Sequence, residues 1–135
     1  MRLATENTEH TEKYMADDLT EKIIGAAIEV HKTLGCGLLE SIYEEALAHE
    51  LCLRSIPHER QIGVDVIYKG LTIKGQRLDL LVEKQVIVEL KSVSKLPDVA
   101  LAQVLSYLKA TGLKRALLIN FGERLLKDGI KRTSL

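Results

Sequence analysis

The sequence predicts a mixed α/β domain, in its finer description α+β, with a mixed sheet flanked by helices. Three observations predict it. Apolar residues recur at three and four between Ile23 and Leu51 and again between Leu101 and Leu108, the spacing of one helix face. They alternate with period two at Ile62, Val64, Val66 and Tyr68, the mark of a half-buried strand. Two short runs, Val86–Leu90 and Ala116–Ile119, are apolar enough for the interior of a sheet. At 135 residues the chain holds one core rather than two.

The elements follow in order. Residues 1–18 are polar and without periodicity and are expected to be disordered. Thr20 is placed as a helix N-cap, with Glu21 in the first turn and Ile23, Ile24, Ala27, Ile28 and His31 on the buried face. Gly35-Cys36-Gly37 breaks that helix. A second one carries Leu39, Ile42, Tyr43, Ala46, Leu47 and Leu51 and stops at Pro57, because the residue before proline avoids the helical region. Lys69-Gly70 turns the first strand into a second, 71–82, with a bend or bulge expected at Gly75. Glu83-Lys84-Gln85 leads into a third strand, Val86–Lys91. Pro97-Asp98 opens a helix with Leu101, Val104, Leu105 and Leu108 as its buried stripe and Gly112 past its end. Arg115–Asn120 is the last expected strand, reached by a right-handed crossover and parallel to the third. The order is therefore α-α-β-β-β-α-β, with a folded domain over 19–125 and a basic tail, 126–135.

Composition excludes several classes. The apolar fraction of 46% rules out wholesale disorder. No apolar run approaches the ~20 residues of a membrane helix, and no basic segment followed by an apolar one opens the chain, so a cytoplasmic location is expected. Cys36 and Cys52 make neither a disulfide framework nor a zinc signature. Net charge is zero, yet residues 1–83 carry 9 Lys+Arg against 15 Asp+Glu while 84–135 carry 10 against 4. Such asymmetry fits either a polyanion partner for the basic half or two surfaces balanced for solubility.

One set of charges is out of place. Asp79 interrupts the apolar run Leu78–Val82, and Glu89 and Lys91 interrupt Val86–Lys91. Charges inside central strands cost desolvation unless paired or bound to a metal. Side-chain alternation puts Glu89 and Lys91 on one face. If strand positions pair so as to sum to 168, Asp79 lies opposite Glu89, Leu81 opposite Ile87 and Val82 opposite Val86. That register puts Leu78, Leu80, Val82, Val86, Val88 and Leu90 together on the other face. Two readings stand on spacing alone. The residues form an inter-strand salt bridge with Lys91, or the two carboxylates form a hard-oxygen pocket for Mg²⁺ or Mn²⁺.

Asp79, a ten-residue interval and then Glu89-Leu90-Lys91 resemble the D-(x)n-E-x-K core of the PD-(D/E)XK nuclease superfamily, whose common core has the same strand and helix order. Gly37-Leu38-Leu39-Glu40-Ser41-Ile42-Tyr43 is similar to the motif of the bacterial and archaeal GxxExxY proteins within it, and the likeness covers residues 19–125. The resemblance implies a restriction-endonuclease-like fold and residue roles. Asp79, Glu89 and the Leu90 carbonyl would bind Mg²⁺ or Mn²⁺. Lys91 would orient the attacking water, and Glu40 would be the helix-borne acid. Gln103 and Tyr107 would line the substrate side. Leu78 stands where the superfamily's name has proline.

Glu40 also reads as an ordinary solvated helix acid, with Glu44 one turn on able to replace it. Tyr43 reads as core, Gly37 as a turn residue and Gln103 as a surface polar residue. His31 and His49 are given no role. The expected function is metal-dependent hydrolysis of nucleic-acid phosphodiester bonds, with Lys95, Lys109, Lys114 and Arg115 as candidate backbone contacts. Five aromatic residues leave little for base stacking. The alternatives are a non-catalytic nucleic-acid or protein interaction module on the same fold, and a metal-dependent hydrolase of a small nucleotide. A homodimer would let so short a nuclease cut two strands.

Overall fold

The computed structural model describes the backbone of residues 2–135 and the side chains of residues 18–135. Helix α1 spans Arg2–Leu34 and α2 spans Glu40–Leu53. Strands β1 (His58–Tyr68), β2 (Leu71–Val82) and β3 (Val86–Lys91) follow, then α3 (Asp98–Thr111) and β4 (Arg115–Asn120). A 3-10 turn, Leu126–Gly129, and a fifth strand, β5 (Ile130–Ser134), close the chain. The segment 1–18, expected to be disordered, has most of its side chains outside the described residues. Thr20 lies inside α1 with its side chain buried, so it is not the N-cap expected of it.

The five strands lie side by side in sequence order. β1, β2 and β3 form an antiparallel meander, β4 runs parallel to β3 after the α3 crossover, and β5 is antiparallel to β4. The basic tail is thus an edge strand. Its burial does not alternate: adjacent Lys131 and Arg132 both face solvent, between half-buried Ile130 and Thr133.

Turn chemistry explains the register. Lys69 and Gly70 have φ of 48° and 86°, the two positive values a two-residue hairpin favours. Gly75 has φ of 123° where the β1–β2 register slips between Val64/Gln76 and Val66/Ile73, so the bulge lies in β2. The three-residue connector places Glu83 and Lys84 at φ of 49° and 57°. It pairs Leu80 with Val88, Leu81 with Ile87 and Val82 with Val86, the register summing to 168.

The sheet has two covered faces. On one, α1 and α2 pack Ile23, Ala27, Val30, Tyr43, Leu47 and Leu51 against Leu80, Val82, Val86, Val88, Leu90 and Leu117. On the other, α3 packs Ala100, Val104, Tyr107 and Leu108 against Val64, Ile87, Ala116 and Leu118. Leu78 belongs to this second face and not, as expected, with Leu80. The regular β2–β3 ladder ends at Leu80 and Val88, so alternation stops predicting the face beyond it. The α3 stripe is also displaced, for Tyr107 is buried and Leu101 is exposed. Ile28, Leu39 and Ile42, expected on buried helix faces, are exposed too.

Among the described residues nothing covers the outer half of the β1–β2 hairpin. Val66, Tyr68, Leu71 and Ile73, which the pairing puts on one face, are all exposed. On the opposite face Lys74 bridges Asp65 at 3.1 Å.

Candidate active site

The acids meet where the β2–β3 ladder gives way to side chains. At the position that would continue it, Glu89 Oε1 accepts the Asp79 backbone N–H at 2.7 Å, and Asp79 Oδ2 accepts the Leu90 N–H at 2.9 Å. Each carboxylate takes the place of a backbone carbonyl, so the two strands spread while their amides stay satisfied. Glu89 is buried and Asp79 half-buried.

The helix-borne acid arrives through the loop before it. Gly37 adopts φ of 103°, a region glycine enters freely, and Glu40 is the first residue of α2. The Tyr43 hydroxyl donates to the Gly35 carbonyl at 2.5 Å and accepts the Leu38 N–H at 3.2 Å. Its ring stacks on Phe121, with centroids 4.5 Å apart. Ser92 Oγ, just past β3, donates to the Leu38 carbonyl at 2.6 Å. The first glycine, the acid and the tyrosine therefore have separate jobs: a bend, a charge beside the strands and a brace. Tyr43 is core as well as brace.

On the far side of the site Asn120 clamps the loop that follows Lys91. Its Oδ1 accepts the Val93 and Gly122 N–H groups, each at 3.0 Å, and its Nδ2 donates to the Val93 carbonyl at 2.9 Å. A Cβ on Gly122 would lie 2.1 Å from that carbonyl oxygen.

The electrostatics follow from burial and crowding. Burial first, and then the Asp79 charge, push the Glu89 carboxyl from 4.5 up to about 8. Burial also raises Asp79, against the pull of the Leu90 N–H, and burial and then Asp79 raise Glu40. Lys91 draws all three back down. Among the described residues no ion pair joins Lys91 to Asp79 or Glu89. The inter-strand salt bridge that spacing allowed is therefore not formed, and the ammonium stays available beside three acids.

Glu40, Asp79, Glu89 and Lys91 are thus brought together. Glu44, one turn on, is engaged elsewhere on α2's flank: its carboxylate accepts hydrogen bonds from Arg60 and Gln61, and its charge also raises Asp79. Tyr107 lies under the acids rather than in an open groove. It is buried, and its hydroxyl donates to the Arg77 carbonyl at 3.1 Å. Burial, then Glu89 and Asp79, push that hydroxyl up to about 12, with a hydrogen bond from half-buried Gln103 opposing. The charged Arg60–Glu44–Gln61 cluster is absent from the sequence reading. Its signal was weak, since a polar residue on a strand exposed at one edge attracts no notice.

The donor set suits a hard divalent cation: carboxylates and backbone carbonyls, with the mutual repulsion of the acids to be relieved. Among the described residues no three or more His, Cys, Asp or Glu side chains are already gathered around one point. A cation here would be held by two carboxylates with carbonyl and water oxygens, as Mg²⁺ favours.

No curated protein and no solved structure matches the chain. A family model described as the PD-(D/E)XK nuclease superfamily matches residues 17–133, from within α1 into β5. The match takes in β1 to β4, α2, α3, the second half of α1 and every acid of the site. The chain belongs to the PD-(D/E)XK nuclease superfamily.

Proposed function

We propose that the protein is a divalent-metal-dependent phosphodiesterase acting on nucleic acid, of the GxxExxY kind. The observation that carries this reading is the Asp79–Glu89 pair, each carboxylate accepting a backbone N–H of the other strand, at 2.9 and 2.7 Å, with Glu40 and Lys91 within electrostatic reach. Two acids paired in a partly dry site, with a third acting on them, are costly for a fold alone. They are economical if a cation is to be held.

Asp79, Glu89 and the Leu90 carbonyl would hold Mg²⁺ or Mn²⁺. When bound, the ion would lower the pKa of a coordinated water and offset charge on the scissile phosphate. Lys91 would orient the water and hold a phosphate oxygen, adding its charge where negative charge builds up. Glu40 would accept hydrogen bonds from waters on the helix side of the site. Tyr107, protonated to high pH, would support the acids from beneath, with Gln103 beside it facing substrate. Lys95, Lys109, Lys114 and Arg115 are exposed or half-buried, and they would meet phosphates with little base selectivity. No helix among the described residues is long and apolar enough to cross a membrane. We place the enzyme in the cytoplasm, as a monomer or a homodimer.

The test is cleavage of single- and double-stranded DNA and RNA by purified protein with Mg²⁺ or Mn²⁺, against Asp79→Ala and EDTA controls. Metal-dependent cleavage lost in the variant supports the reading. Binding of polymer without cleavage would favour a non-catalytic interaction module. Turnover of mononucleotides alone would favour a small-nucleotide hydrolase.

A further inference from the structure

A chain of polar contacts outside the acid pair ends on it. Glu44 is buried on α2 at 9% exposure, and a carboxylate so placed needs partners. Arg60 donates to its Oε2 through Nε at 3.1 Å and through Nη2 at 2.9 Å. Gln61 Nε2 donates to its Oε1 at 2.7 Å. The same amide nitrogen, with a second N–H to give, faces Asp79 Oδ1 at 3.4 Å.

Gln61 reaches both acids from an unusual backbone. Its φ is 52°, inside β1, although Arg60 and Ile62 on either side keep regular partners in Leu80 and Leu78. A non-glycine residue in the left-handed region of a strand is rare, and it persists when the surroundings hold it there. Here the surroundings are the Arg60–Glu44 pair, which fixes the amide from the helix side.

Asp79 is otherwise held by one oxygen. The Leu90 N–H fixes Oδ2, which leaves the carboxylate able to turn about its Cβ–Cγ bond. A second donor on Oδ1 sets its plane. We propose that Gln61, anchored by Glu44 and Arg60, is the positioning residue that holds the Asp79 carboxylate ready for a divalent cation. The inference rests on the metal reading above and extends it to a residue outside the ligand set. Partners of this kind typically change metal affinity 10–100-fold when lost.

Two variants separate the amide from the backbone. Gln61→Gly removes the amide and relieves the left-handed φ. Gln61→Met keeps the length and the φ but has no donor. Mn²⁺ affinity is read from the electron paramagnetic resonance signal of the free ion, alongside melting of the metal-free protein. Both variants are expected to bind Mn²⁺ about tenfold more weakly than wild type, while Gln61→Gly, whose relieved φ offsets the donor that Glu44 loses, melts closer to wild type than Gln61→Met. A merely structural role would move the melting temperature and leave affinity intact. Wild-type affinity in Gln61→Gly overturns this inference alone. A wild type that takes up no Mn²⁺ overturns the metal reading, and the inference with it.

Discussion

Neutralising Glu89 without changing its size is expected to stabilise the metal-free protein in alkaline solution. The side chain is 4% exposed, and its carboxyl is pushed from 4.5 up to about 8, first by burial and then by Asp79. A carboxyl raised in the fold binds its proton more tightly there than in the unfolded chain. Its contribution to stability is full below about 4.5 and is lost as pH rises through about 8. At about 1.4 kcal/mol per pH unit the ceiling of that loss is about 5 kcal/mol. Water entry and rearrangement around an ionised carboxylate reduce such penalties, so about 2–3 kcal/mol is expected. Glu89→Gln has no proton to lose, and its amide oxygen can still accept the Asp79 N–H. The variant should match wild type near pH 5 and exceed it by that amount near pH 9, about 1 M in the urea midpoint. The assay is urea unfolding in EDTA, followed by circular dichroism at several pH values. A difference between the two proteins that stays flat with pH would refute the reasoning. A steep loss in both would move the effect to Asp79 and Glu40, which are raised in the same direction.

Lys91→Ala is expected to lower single-turnover cleavage by at least ~100-fold. Polymer affinity should change little, because it rests on many cationic contacts; parallel kinetics and binding titrations check both. Gly122→Ala drives a methyl into the Val93 carbonyl, and a loss of about 2–4 kcal/mol is expected in equilibrium unfolding, on the scale of overpacking plus a broken clamp. Tyr43→Phe keeps the stack on Phe121 but removes the hydroxyl that ties Gly35 to Leu38. It should cost about 1–2 kcal/mol and weaken Mn²⁺ binding by displacing Glu40, measured by thermal melting and metal titration.

How far the sequence was legible depended on how local the determinant was. Lys69-Gly70 contains its own turn chemistry, so the hairpin could be read before any contact was known, and the β2–β3 register followed from putting Asp79 and Glu89 on one face. Asp79, Glu89 and Lys91 stood out because charge inside an apolar strand demands an explanation. Leu78 could not be assigned its face, because the spreading of the strands at the acids is a property of paired side chains and not of either strand alone. Tyr107 was placed off the stripe of α3, since the burial of its ring depends on Leu78 and Val64 beneath it. β5 was hidden because its burial has no period of two: adjacent Lys131 and Arg132 are both exposed between half-buried Ile130 and Thr133, on a strand paired along one edge only. The contacts of Gln61 were out of reach for a deeper reason: a left-handed residue in mid-strand contradicts local preference and is visible only in three dimensions.

The uncovered half of the β1–β2 hairpin gives the molecule an uneven resistance to opening. Beyond the Gly75 bulge the ribbon has two strands and, among the described residues, no helix against it and one ion pair across its outer face. Such a ribbon on its own is marginal in water. Its amides should exchange with solvent through small local openings, while those of β3 and β4, enclosed on both faces, wait for the whole domain to unfold. The bulge then acts as a mechanical break. Motion of the tip is expected to bend the ribbon at Gly75 and to fade before Arg77, whose carbonyl is fastened to Tyr107. Asp79, two residues on, thus sits at the first stiff point of a compliant arm, close to its movement but insulated from it.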